Sequence, residues 1–172
     1  DELTRRGVQV ELLEKGPQAG REASWVAAGI LTPQGEAKGP GPFLDLLLAG
    51  YQLIPEAIRR LEAATRMDLS YRASGVLKLA LTEEDEGLLK EELAWQDEVG
   101  LRFDLLSPEE VRRLEPALDG SIRRGIWFPQ GCQVDNTRMV EAYIRLVQSQ
   151  GGVIRVNTEV KQLLLEGDRV TG

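Results

Sequence analysis

Residues 8–16 read Val-Gln-Val-Glu-Leu-Leu-Glu-Lys-Gly, and residues 23–31 read Ala-Ser-Trp-Val-Ala-Ala-Gly-Ile-Leu. The first stretch is a short apolar run over 8–13, closed by Glu14 and by the breakers Gly16 and Pro17. Such a run is expected of a buried parallel strand. Before it, Asp1 to Gly7 reads as the tail of a helix ending at a glycine. Helix, glycine, strand and terminal carboxylate follow one another as in a βαβ unit. A strand of that kind followed by a run of small residues is half of a dinucleotide-binding arrangement. The glycine-rich turn G-x-G-x-x-G is not in the chain, so the amino end reads as incomplete.

Working outward, residues 33–42 hold Pro33, Gly35, Gly39, Pro40, Gly41 and Pro42 and are expected to form a loop. From Phe43 to about Arg66, Leu44, Leu47, Leu48, Tyr51, Ile54, Ile58 and Leu61 recur at helical spacing. Pro55 is expected to kink that helix. Residues 69–73 and 76–82 read as two strands around Ser74-Gly75. A helix over about 83–99 starts at Thr82 with acids in its first turn, which suit the positive end of the helix dipole. After a short strand at 101–106, Ser107-Pro108-Glu109-Glu110 is a helix start of the capping-box type, with proline at the first position. Residues 121–128 are again extended, turned by Pro129-Gln130-Gly131.

Asn136 is placed to cap an amphipathic helix to about Gln150, with Met139, Val140, Tyr143, Ile144 and Val147 on one face. A strand over 153–156 follows Gly151-Gly152, and 160–166 pairs with residues from 169 onward across Gly167-Asp168. The chain stops within that hairpin, so the carboxyl end also reads as a cut. The fold class is α/β, or α+β taken overall. Residues 1–68 and 135–172 form a partial nucleotide-binding domain, and 69–134 form a sheet-rich insertion.

Composition narrows the chemistry. The 172 residues carry a net charge of -7 and a sequence pI near 4.8, which argues against binding the phosphates of nucleic acid. No apolar stretch approaches the roughly 20 residues of a spanning helix, and no apolar leader opens the chain; a cytoplasmic location is the expectation. There is no histidine, so a Ser-His-Asp or Cys-His relay and a histidine metal site are excluded within these residues. Cys132 is the single cysteine and reads as an ordinary buried or turn thiol. The acids from Glu83 to Glu86 and at Glu91-Glu92 read as a solvated helix face, because calcium loops need oxygen ligands around a glycine turn. Arg112-Arg113 and Arg123-Arg124 read as surface charges, with an arginine of the insertion meeting a substrate carboxylate as the alternative.

Three candidate binding features remain. Glu14, at the carboxyl end of its strand, can accept hydrogen bonds from both hydroxyls of an adenosine ribose, although a solvated loop glutamate would look the same. Ala23, Ser24, Ala28, Gly29 and Ile30 allow close backbone approach to pyrophosphate and to a flat ring, as would alanines packed for space. Val160 can reach adenine through its main chain, and is equally a plain strand valine.

Taken together, RRGVQVELLEKG (5–16), REASWVAAGILTP (21–33), GVLKLALTEED (75–85), QVDNTRMVEAYIRLVQSQGG (133–152) and NTEV (157–160) resemble the FAD-dependent amino-acid and amine oxidase family, which is D-amino acid oxidase-like. Within it they are most similar to the glycine-oxidising branch of thiamine biosynthesis. The resemblance implies a partial FAD-binding Rossmann-like domain with part of a substrate-binding domain inserted. It implies Glu14 with Lys15 at the ribose, Ala23 and Ser24 near the pyrophosphate, Ala28, Gly29 and Ile30 near the flavin, and Val160 at adenine. The implied activity is oxidation of glycine or a related small amino acid or amine to the imine, with molecular oxygen as second substrate and peroxide released. Sarcosine, a D-amino acid or proline are alternative substrates, and a non-catalytic nucleotide-domain remnant is an alternative of another class. No catalytic residue carries over, no metal is implied, and a homo-oligomer is compatible with the sequence.

Overall fold

Local signals set the elements. The computed structural model describes residues 1–118 and 120–172. The chain opens with α1 (Glu2–Arg5), β1 (Glu11–Leu13), α2 (Ala23–Val26) and β2 (Ile30–Leu31). Pro33 at the first helical position and the Thr32 hydroxyl accepting from the Gly35 amide then start α3 (Pro33–Glu36); a helical turn therefore stands where the prolines and glycines predict only loop. The long helix α4 (Pro42–Thr65) runs on through Pro55, which forgoes one backbone bond without ending it.

Next come β3 (Val76–Ala80) and α5 (Glu83–Glu98), and then β4 (Asp104–Leu106) and α6 (Pro108–Leu114). Both helices start in a full capping box: Thr82 with Asp85, and Ser107 with Glu110. β5 (Arg124–Phe128) and β6 (Cys132–Gln133) precede α7 (Asn136–Ser149), β7 (Val153–Arg155), β8 (Leu165–Glu166) and β9 (Arg169–Val170). The cap of α7 is Asp135, whose carboxylate accepts from the Arg138 amide, and not Asn136, the position the spacing suggests.

The chain forms two compact units. The first comprises residues 1–28, 59–69 and 135–172, and the second 29–58 and 70–134; residues 29–58 thus group with the second unit rather than with the amino-terminal stretch. In the first unit β1 and β7 pair in parallel, Glu11 opposite Val153 and Leu13 opposite Arg155. Its buried side chains include Leu61, Leu69, Ala142, Leu146 and Val147. Of the face predicted for α7 only Val147 is fully buried; Met139, Val140, Tyr143 and Ile144 are half-buried. The apolar strand predicted over 8–13 is shortened to 11–13, and Leu12 and Leu13 are 42% and 43% exposed; among the described residues β1 pairs with β7 alone, whereas a central parallel strand is paired on both edges and covered on both faces.

In the second unit β5 is the middle of a three-stranded antiparallel sheet, flanked by β3 (Val76 opposite Phe128) and β4 (Asp104 opposite Trp127). Ala80, Leu89, Ile126 and Phe128 form its core, with Leu93 and Phe103 packed against them. The predicted strand at 69–73 reduces to a single bridge, Arg72 to Gln133, because β3 takes its partner from distant β5. Gly75 has φ +76°, and a Cβ there would stand 2.1 Å from Cζ2 of Trp127; glycine is required twice over.

The capping carboxylates give a pH prediction. Asp85 is held below the ordinary carboxylate range chiefly by the Thr82 amide, Glu110 by the Ser107 amide and Asp135 by the Arg138 amide. A group depressed in the folded state contributes stability that is present above its unfolded pKa and is lost as pH falls through its folded pKa. The thermal midpoint followed by circular dichroism is expected to hold from about pH 7 to 5 and to fall below about pH 4. Asp85→Asn combined with Glu110→Gln is expected to flatten that fall.

Candidate functional site

At the carboxyl end of β1 the chain is tied down by its neighbour. The Glu14 amide donates to the Arg155 carbonyl at 2.8 Å, the Thr158 amide to the Glu14 carbonyl at 2.8 Å, and the Asn157 amide to the Gly16 carbonyl at 2.8 Å. Asn157 sits at φ +53°, a left-handed position that asparagine tolerates better than most residues. These bonds hold residues 14–16 and 157–158 side by side at the end of the parallel pair. The Glu14 carboxylate turns back so that Oε1 accepts from the Gly16 amide at 2.7 Å. Among the described residues Oε2 has no partner, and Glu14 is half-buried. A fixed carboxylate with one oxygen spoken for and the other free suits a donor-rich ligand such as a vicinal diol. Lys15 beside it is exposed.

The small-residue stretch is positioned by α7. The Asn136 side-chain amide donates to the carbonyls of Ser24 and Trp25, both at 2.8 Å. Upstream, Gly20 has φ +74°, and a Cβ on it would lie 2.4 Å from Cγ1 of Val140, so the loop entering α2 lies directly on that helix. The Arg21 guanidinium stacks 3.4 Å from the Trp25 ring centroid. Ala23, Ser24 and Ala28 are left exposed, and first-turn amides of a helix lack intrahelical acceptors. The Trp25 amide is taken by the Glu22 carbonyl at 3.0 Å; the arrangement offers small side chains and a hydroxyl, which suit phosphate oxygens.

In the second unit, the Gly29 carbonyl accepts from the Val134 amide at 2.9 Å. Ile30 pairs with Gln133, and Leu31 with Cys132. Ile30 is 53% exposed, whereas Gly29 is buried. Val160 lies outside every strand and is 55% exposed; the expected strand over 160–166 contracts to 165–166. The structure brings the NTEV segment to Glu14 through Asn157 and Thr158, and Val160 follows two residues on.

Sequence reasoning missed Asn136 as a clamp for α2. The available signal was its place just after the better cap, Asp135, which leaves its amide free for another task. A separate cavity of about 610 Å³ in the second unit is lined by Ala37, Lys38, Lys78, Leu79, Glu92 and Trp95 among others. It holds the Lys78–Glu92 ion pair and contains none of the predicted site residues. No group of acids, cysteine or histidine among the described residues is arranged to hold a metal, and no described helix is long and apolar enough to cross a membrane.

A parallel strand pair that ends in an anchored carboxylate, with a small-residue turn in the same unit, is the construction of a dinucleotide-binding α/β protein. The sequence matches, over residues 2–172, the family described as DAO, FAD dependent oxidoreductase. The chain belongs to that family, and FAD is its cofactor. Its relatives include the bifunctional protein ThiO/ThiG of Synechocystis sp., 31% identical over 169 residues, covering 98% of this chain and 24% of that protein. The glycine oxidase of Geobacillus kaustophilus is 30% identical over 160 residues, covering 92% of this chain and 42% of that one. The crystal structure of a glycine oxidase from the same organism superposes with a TM-score of 0.88 at 29% identity, over 95% of this chain and 44% of its own. L-Proline dehydrogenase from P. horikoshii, at 21% identity and a TM-score of 0.78, shares the fold. The chain spans under half the length of these relatives.

Proposed function

We propose that this chain supplies FAD-holding and pocket-lining elements of an oxidase that converts glycine, or a related small amino acid or amine, to its imine, with hydrolysis to the 2-oxo acid and ammonia and release of hydrogen peroxide. The observation that carries the reading is Glu14, fixed at the end of β1 by residues 155–158 and with Oε2 without a partner among the described residues. The glycine oxidases among the relatives support the substrate class.

In this reading the Glu14 carboxylate, with Lys15 beside it, receives the ribose hydroxyls. Ala23 and Ser24 present amides and a hydroxyl to the pyrophosphate. Ala28, Gly29 and Ile30 lie along the flavin, and Val160 meets adenine through its main chain. The chemistry that the cofactor supplies when bound is hydride acceptance from the amine-bearing carbon and transfer of the electrons to oxygen. The protein's own part is to bind, orient and exclude water; that division of labour is consistent with a stretch that has no histidine. Residues 1–68 with 135–172 then serve nucleotide binding, and 69–134 belong to a substrate-binding domain.

The test is made on the full-length protein. Purified and unsupplemented, it is expected to show a flavin absorption spectrum and to release peroxide with glycine faster than with sarcosine, a D-amino acid or proline. A colourless protein that takes up no FAD overturns the reading; a flavoprotein that prefers another member of the panel corrects only the substrate.

A further inference from the structure

The helix α2 has four residues, and its cap residue Glu22 makes no side-chain bond to it. One turn is too short to hold a helical shape unaided, and its last carbonyls have no donor within the helix. The donor comes from α7. Nδ2 of Asn136 reaches the carbonyls of Ser24 and Trp25 at 2.8 Å each. A primary amide nitrogen carries two protons, and both are spent on this one turn. Since both partners are carbonyl oxygens, only the nitrogen end of the amide can face them.

The arm that carries this amide is itself braced. Asp135 Oδ1 accepts from the Arg138 amide at 3.0 Å and from the Thr137 hydroxyl at 2.7 Å. The Asp135 amide donates to the Leu69 carbonyl at 2.9 Å, and the Arg138 guanidinium donates to the Asp68 carbonyl at 3.0 Å. Asn136 thus stands at the first position of a helix whose start is bonded to residues 68 and 69. Gly20, close against Val140, gives the loop a second seat on the same helix. All of these residues lie in the first unit.

We propose that Asn136 is a positioning residue that sets the Ser24 end of the small-residue turn for the cofactor's pyrophosphate, without touching the pyrophosphate itself. This rests on the reading above that Ala23 and Ser24 face that group. The role asks for two donors on a short arm at position 136. Alanine supplies none. Aspartate keeps the arm and, as an acid in a first turn, suits the helix dipole, but it sets acceptor oxygens against two carbonyls.

The experiment uses the full-length holoprotein with Asn136→Ala, Asn136→Asp, Ser24→Ala and the double variant Asn136→Ala with Ser24→Ala; Asp135→Ala is the helix control. Dissociation of FAD and the visible flavin spectrum are measured beside the thermal midpoint. Asn136→Ala is expected to weaken FAD binding about tenfold, in line with two neutral hydrogen bonds, and Ser24→Ala about threefold, in line with one. Asn136→Asp is expected to weaken it at least as much as Asn136→Ala. Because Asn136 acts through Ser24, the double variant is expected to lose about tenfold, where independent sites would give about thirtyfold. Asp135→Ala removes a helix cap and is expected to lower the thermal midpoint with FAD affinity within about twofold of the parent. Should Asn136→Ala not fold, Asn136→Asp takes its place, alone and with Ser24→Ala. Asn136 variants that change only the thermal midpoint overturn the proposal. So do losses that multiply in the double variant, or an Asp135→Ala loss of affinity equal to that of Asn136→Ala. Ser24→Ala at parent affinity, or a parent protein without flavin, would instead sink the functional reading on which the proposal stands.

Discussion

Replacing Glu14 with alanine in the full-length protein is expected to weaken FAD binding about a hundredfold, measured by the fluorescence of free flavin during titration of the apoprotein. Hydrogen bonds to a charged group are each worth about 1.5–3 kcal/mol. The carboxylate has one oxygen committed to the Gly16 amide, so about 3 kcal/mol of ligand contact is the reasonable loss, and 1.4 kcal/mol is one decade. Glu14→Gln separates the two tasks of this side chain. The glutamine carbonyl can still accept from Gly16, so the turn survives, while the charge-assisted contact is lost; the expected weakening is about tenfold. Glu14 is half-buried and outside the core, so the Gln apoprotein should unfold at the parent midpoint, and the Ala apoprotein within about 1 kcal/mol of it, the worth of the lost Gly16 bond. Affinities within twofold of the parent for both would remove Glu14 from the ribose and with it the basis of the proposed site.

The place of Glu14 at a strand end was legible because two local cues coincide there: an apolar run long enough for a strand, and a charged residue followed by Gly16 and Pro17. What holds it in place was not legible. The bonds from Asn157 and Thr158 come from more than 140 residues away, and nothing in NTEV itself announces a partner at Glu14. A separation of more than 110 residues likewise hid the Asn136 clamp. An asparagine at a helix start reads as a cap, and only the fold shows that Asp135 does that work while Asn136 reaches Ser24 and Trp25. The bridge at 72 was invisible for another reason: residues 69–73 look like a strand in their own right, although among the described residues only Arg72 bridges, to Gln133.

The helices were read closely because their signals lie within one or two turns. Thr82 and Ser107 each find their box partner three residues on, and the residue at Gly100 takes φ +72° as a helix-ending glycine should. Strands fared less well, since a strand exists only with its neighbour. Val76–Ala80 looked able to fold back on residues 69–73, but Arg124–Phe128 offers five consecutive partners, and the larger sheet buries more.

Phe128 tests that account of the second unit. It is fully buried, it ends β5 opposite Val76, and it packs in one cluster with Ala80, Leu89 and Ile126, so it ties the sheet to α5. Phe128→Ala is expected to cost about 4 kcal/mol, the sum of lost transfer energy and the cavity left behind. Phe128→Leu keeps most of the volume and is expected to cost about 1.5 kcal/mol. Urea unfolding of the full-length protein followed by the fluorescence of Trp95 and Trp127, which lie in this unit, should show the midpoint fall in that order with an unchanged slope. FAD affinity measured well below the midpoint separates packing from ligand contact: Glu14→Gln is expected to lower affinity at constant stability, whereas Phe128→Leu is expected to lower stability at constant affinity. If Phe128→Ala cost less than about 1 kcal/mol, β5 would not be the centre of the second unit's core, and the pairing that displaces residues 69–73 from β3 would lose its physical reason.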